Sequence, residues 1–180
     1  MVNMRTDKKW FAMRDLSRRN AKRMAHHELR DAGLEVFTPM TEMLLTIRGK
    51  KHRREVPVIQ DLLFVHESKE NLDPYVARFS TLQYRYVLGR RASEPAVVRD
   101  DEMRRFIMAV SSTENPKYFM PGELTRRMYG KKVRIIGGAL DKYEGRLLSI
   151  RGMRTKRLIV EIPDCVTAAV EVAPQYIQFV

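Results

Sequence analysis

The chain holds one cysteine, Cys165, and four histidines, His26, His27, His52 and His66, in 180 residues. A lone cysteine closes no intrachain disulfide, and no histidine belongs to a His-Glu-x-x-His pattern or pairs with a cysteine at ligand spacing, so no metal site is indicated. Flanked by Ile162, Val166 and Val170, Cys165 reads as a core thiol rather than a nucleophile. No Gly-x-Ser-x-Gly elbow occurs, Gly137-Gly138 is not followed by Gly-Lys-Ser/Thr, and the acids are scattered rather than paired. A non-enzymatic protein without a cofactor is expected. No apolar run approaches the roughly 18 residues of a membrane span, and residues 1–7 lack the apolar core of a signal peptide. A cytoplasmic, monomeric protein with no membrane partner is the expectation.

Negative charge is also scarce. Lys and Arg number 34 against 22 Asp and Glu, a net charge of +12, while 44% apolar residues suffice to build a core. Such an excess points to an anionic partner rather than to small-metabolite chemistry.

Residues 9–14, Lys-Trp-Phe-Ala-Met-Arg, read as a strand, followed by Ser17 as N-cap of a helix that ends at Gly33. On a helical wheel Ala21, Met24, Ala25, Leu29 and Ala32 gather on one side, and Arg19, Lys22, Arg23, His26 and Arg30 on the other. Extended stretches follow at 36–39, 43–48 and 56–65, with the run 48–54, Arg-Gly-Lys-Lys-His-Arg-Arg, as a hairpin tip between the last two. Leu72, Tyr75, Val76 and Phe79 repeat at helical spacing, with Pro74 suited to a first turn. Residues 82–88 read as another strand closed by Gly89, and Asp100, Asp101 and Glu102 open a helix striped by Met103, Phe106, Ile107 and Val110. The order predicts an α+β fold, an antiparallel sheet covered by helices.

From Ser111 to Pro116 and again at Pro121-Gly122 the composition turns linker-like. Beyond it the runs 133–136, 146–150, 158–162 and 168–172 are short, β-branched and evenly spaced, which predicts a small β-barrel and argues against a helical form of this part.

The basic helix face and the hairpin cations Arg48, Lys50, Lys51, Arg53 and Arg54 could both neutralise phosphates. One basic face alone is as readily a solvated surface; two of them favour nucleic-acid contact. Tyr84 and Tyr86 could stack bases, but no RNP signature surrounds them, and sheet packing is the simpler reading.

These features together resemble the NusG family of transcription elongation factors. The residues that carry the resemblance are Trp10-Phe11-Ala12, the helix to Gly33, Val36-Phe37-x-Pro39, Arg48-Gly49-Lys50, Pro57 and Leu63-Phe64-Val65, then 130–138, Gly-Lys-Lys-Val-Arg-Ile-Ile-Gly-Gly, and Glu144-Gly145. The resemblance implies an RRM-like NGN domain over 1–112, a linker over 113–125 and a KOW domain, an SH3-like barrel, over 126–180. The Phe-x-Pro and Arg-Gly-Lys spacing and the segment 92–98 look most like the specialised RfaH and UpxY antiterminators of capsular polysaccharide operons.

That likeness implies docking on the β′ clamp helices of RNA polymerase through Ile59, Leu62, Phe64 and Tyr86, and suppression of pausing or termination, with catalysis left to the polymerase. It implies contact with non-template DNA or nascent RNA through Arg19, Lys22, Arg23, His26, Arg30, Arg48, Lys50, Lys51, Ser80 and Thr81. Gly138, Leu140 and Gly145 carry the KOW motif, with a ribosomal protein or Rho as its implied partner. Where relatives have a Pro-Gly turn flanked by aromatics, this chain has Ile59-Gln60-Asp61-Leu62. The alternative is a ribosome-associated or general RNA-binding KOW protein that does not touch polymerase.

Overall fold

The computed structural model describes residues 7–18, 21–87 and 94–180. The chain divides into two compact units, Met1–Asp100 and Asp101–Val180. The first contains β1 (Lys9–Asp15), α1 (Ala25–Asp31), β2 (Glu35–Phe37), β3 (Met40–Ile47), β4 (Lys50–Pro57), β5 (Leu63–Glu67), α2 (Lys69–Arg78), β6 (Leu82–Tyr84) and β7 (Val97–Val98). Its main sheet runs β2-β5-β1-β6, with β7 also on β1, and the pairing is antiparallel throughout. An antiparallel sheet with helices is the architecture the sequence predicts.

β1 is central because Trp10, Phe11, Ala12 and Met13 are apolar in succession, and all four are buried. A run of this kind satisfies a strand covered on both faces. Phe11 and Met13 pack with Leu63, Val65, Leu82 and Tyr84 against Ala25 and Leu29 of α1 and Leu72 of α2.

Helix α1 is shorter than its wheel predicts. It starts at Ala25, not after Ser17, and its first N–H is taken by Asp15, whose Oδ2 accepts from Ala25 at 2.8 Å while Oδ1 accepts from Ser17 at 2.9 Å. This cap comes from the end of the preceding strand, so no local capping signal marks it. The far end is as expected: the Gly33 N–H bonds Arg30 O and the Leu34 N–H bonds Leu29 O, a Schellman closure. Replacing the buried Asp15 by Ala leaves both N–H groups unmatched. A loss of about 1–2 kcal/mol in denaturant unfolding is expected, whereas an unchanged midpoint would show that the cap contributes nothing.

The hairpin also differs from expectation. Its turn is only Arg48-Gly49, both at positive φ (49° and 76°), as a two-residue I′ turn requires, and 50–54 is strand rather than tip. Both of its strands are largely exposed, so the hydrophobic alternation that normally betrays a strand is missing. The stretch 56–65 likewise splits, with a turn at 58–61 between β4 and β5. Helix α2 begins earlier than its apolar spacing suggests, capped by the Ser68 hydroxyl accepting from Asn71 N–H, which places Pro74 inside it.

Helix α3 (Asp100–Ser111) leads into the second unit, where β8 (Lys117–Phe119), β9 (Tyr129–Ile135), β10 (Glu144–Leu148), β11 (Arg157–Ile162), β12 (Val166–Glu171) and β13 (Ile177–Phe179) form one antiparallel sheet in the order β13-β9-β10-β11-β12-β8. The four β-branched runs all lie on these strands. Val133, Ile135, Leu158, Val160, Ile162, Val166 and Val170 are buried. Among the described residues no pairing closes β13 onto β8. The stretch read as linker contains β8, which pairs Thr167, Ala168 and Ala169 of β12. Arg157 fastens it: the buried guanidinium donates to Asn115 O at 2.7 Å and Ala169 O at 3.2 Å and pairs with Glu171. No helix among the described residues is long and apolar enough to cross a membrane.

Candidate nucleic-acid and polymerase interface

The residues preceding and opening α1 meet the foot of the hairpin around one cavity of about 490 Å3, lined by Lys22, Arg23, His26 and His27 from one side and Arg54, Glu55, Val56 and Pro57 from the other. Two cationic patches that are separate in sequence therefore converge on one wall. Asp31 also lines it, and Arg23 pairs with Glu28 (2.6 Å) and with Asp31, so the charge of Arg23 is partly offset while Lys22 and Arg54 remain exposed.

His26 corrects the wheel. It is 3% exposed, not on an outer basic face, because the helix starts only at Ala25 and the residues before it do not follow helical spacing. Burial, with the neighbouring His27 and Arg30, pushes its pKa down to about 4. Its ring lies 3.9 Å from that of His27, and Nε2 has no hydrogen-bond partner. The site thus keeps a neutral imidazole among cations. Arg30 is exposed and donates to Val36 O at 3.4 Å. Arg19 lies outside the described residues, as do Leu88, Gly89, Ala92 and Ser93.

On the hairpin Arg48, Lys50 and Lys51 are exposed. Ser80 and Thr81 form the turn into β6, where Leu16 N–H bonds Thr81 O at 2.8 Å and the Ser17 hydroxyl meets that of Thr81 at 3.4 Å. This turn contributes no lining residue to the cavity.

The four implied docking residues divide by exposure. Ile59, Leu62 and Phe64 are buried, at 6%, 2% and 0%, whereas Tyr86 is 58% exposed, with Val87 and Val97 exposed nearby in sequence and pairing. Gln60 and Asp61 have work of their own. Gln60 Nε2 donates to Ser17 O at 2.8 Å, and Asp61 draws in Arg14 at 3.3 Å and Arg85 through its carbonyl at 3.1 Å. These side-chain bonds hold the turn that a Pro-Gly pair would hold by backbone restriction.

In the second unit Gly145 sits where β10 passes closest to β11. A Cβ there would lie 3.0 Å from Leu158 Cδ1 and 3.3 Å from Ile159 O, so only glycine fits without displacement. Gly138 lies under the Tyr176 ring, and Leu140 is buried rather than presented at a tip. Tyr143, beside it, carries the Arg105 guanidinium 4.5 Å from its ring, and burial pushes its phenol up. Among the described residues no group of three or more His, Cys, Asp or Glu side chains could hold a metal ion.

The profile of the family described as "Transcription termination factor nusG" matches residues 8–107. A solved structure titled "Domain interaction in Thermotoga maritima NusG" is similar at 17% identity and a TM-score of 0.46, over 95% of this chain and 96% of that one. No curated protein matches the chain significantly.

Proposed function

Because the chain belongs to the NusG family of transcription elongation and termination factors, we propose that it docks on RNA polymerase with its N-terminal unit, the NGN domain, while the cavity wall and hairpin engage the nucleic acid beside it. The family generally binds RNA polymerase; the surface assigned to this chain is centred on the exposed Tyr86, with Val87 and Val97 exposed near it, while Ile59, Leu62 and Phe64 are buried and bear on it only through the fold. Exposed aromatics are the usual hot spots of such interfaces. The observation that carries the nucleic-acid part is the convergence of Lys22, Arg23, His27 and Arg54 on one cavity.

Within the family we assign the chain to the operon-specific antiterminators of RfaH and UpxY type, acting on polymerase pausing or termination in capsular polysaccharide operons. The Arg48-Gly49-Lys50 and Phe37-x-Pro39 motifs support this reading. The second unit is assigned as the KOW domain, from the Gly138 and Gly145 positions, with a ribosomal protein or Rho as partner. Catalysis belongs to the polymerase, and the factor works as a non-enzymatic cytoplasmic protein.

The test is binding of the full chain to purified, nuclease-treated RNA polymerase core, wild type against Tyr86→Ala. A loss of about tenfold or more in affinity, with unchanged melting, is expected for a central aromatic anchor. Equal affinity of the two proteins would remove Tyr86 from the interface, and absence of any polymerase binding would move the function to RNA binding alone.

A further inference from the structure

We propose that one face of the β3–β4 hairpin, and not the other, is a track for single-stranded nucleic acid; this rests on the nucleic-acid reading above and assigns its face and the form of its ligand. In an antiparallel pair, directly opposed residues share a face and successive residues alternate. The register Met43↔Arg54, Leu45↔His52, Ile47↔Lys50 therefore makes one face, and Glu42↔Glu55, Leu44↔Arg53, Thr46↔Lys51 the other. The hairpin's two acids fall together on the second face, where Glu42 also lies 3.7 Å from Arg53. The first face carries no carboxylate. It presents a row of Lys50, His52 and Arg54 beside a row of Met43, Leu45 and Ile47, with Met43 and Ile47 at 39% and 46% exposure.

Spacing and chemistry select the ligand. Alternate residues of a strand stand about 7 Å apart, close to the phosphate step of an extended single strand, about twice the 3.4 Å rise of a stacked one. A duplex hides its base faces in its own stack. Only an unpaired strand can lay bases on Met43, Leu45 and Ile47 while its phosphates follow Lys50, His52 and Arg54. At the foot of the hairpin Arg54 of this face lines the cavity with Lys22 and Arg23, where Glu55 of the other face also reaches it. The second face offers a mixed-sign surface that a polyanion gains little from.

The experiment measures fluorescence anisotropy of a labelled mixed-sequence DNA 12-mer, single-stranded and as a duplex, with the full chain. Lys50→Glu/Arg54→Glu is compared with Lys51→Glu/Arg53→Glu, two variants of equal charge change on opposite faces of exposed strands. The first is expected to weaken single-strand binding about tenfold more than the second and to flatten the salt dependence by roughly 1.4 in log–log slope, for two lost phosphate contacts. Met43→Ser/Ile47→Ser is expected to weaken the single strand about tenfold while changing duplex binding less. Equal losses from the two charge pairs would overturn the face assignment, and a duplex bound as tightly as the single strand would overturn the single-stranded form of the ligand, each leaving the nucleic-acid reading in place. A wild-type chain that binds neither DNA would overturn both together with the nucleic-acid part of the proposed function.

Discussion

Phe64→Ala is expected to lower the unfolding free energy by about 3–5 kcal/mol, the largest single effect of any substitution considered for this chain. Phe64 has no exposed surface, stands opposite Ala12 of β1 on one side and Phe37 of β2 on the other, and its ring centroid lies 6.4 Å from that of Phe37. Removing the ring from the middle of the sheet leaves a cavity that rigid strands on both sides cannot collapse into. Urea unfolding followed by tryptophan emission reads the effect directly, since Trp10 stands two residues along β1 from Ala12, the residue opposite Phe64, and so shares its face of the β1–β5 pair. A loss below 1 kcal/mol would mean that the sheet repacks. The consequence for function is practical: a polymerase-binding defect in a Phe64 variant reports unfolding, and Tyr86, exposed and outside the core, is the residue that separates docking from stability.

The second large effect is acid sensitivity through His26. Its pKa is lowered to about 4 in the fold, against an unfolded value of about 6.5. A group whose folded pKa is depressed contributes stability above its unfolded value and loses that contribution as pH falls through the folded one. The window is therefore pH 6.5 down to 4, over which this one imidazole accounts for about 2–3 kcal/mol at 1.36 kcal/mol per pKa unit. Urea midpoints of wild type and His26→Gln at pH 7, 5 and 4 check it. The wild type should fall more steeply, with the two curves converging toward acid, because a glutamine carries no proton to take up. Parallel curves would show that the buried ring is not the titrating group. Charging His26 would also place another cation beside Lys22, Arg23 and Arg54, so the cavity should hold phosphate more tightly at the acid end of this window.

Much of the fold was legible in the residues because the signals were local. The run of bulky residues at 9–14 announced a strand, Gly33 the end of a helix, and the β-branched runs after 130 a β-structured second unit. The cations were legible too, and the hairpin was located by Arg48-Gly49. What misled was the assumption of continuous helical spacing from Ser17. The true start of α1 depends on a carboxylate ten positions earlier that folds back onto it, and His26 moves from a basic face to a buried site as a result. The docking residues misled for a similar reason. Apolar side chains after Pro57 look alike in sequence, yet of the four implied docking residues Ile59, Leu62 and Phe64 are buried and Tyr86 is exposed.

By itself the sequence determined the family-bearing motifs, the order of strands and helices, the excess of positive charge and the presence of two units, because each rests on composition or on neighbours a few residues apart. The tertiary structure alone decided which cations line one cavity, which face of the hairpin is free of acid, and how Gln60 and Asp61 hold the turn after β4. Those outcomes depend on pairing register and on contacts between distant segments, such as Arg54 with Lys22 around one cavity or Gln60 with Ser17 across the sheet end. A one-residue slip of the β3–β4 register would exchange the faces of the hairpin, moving every cation without changing a residue.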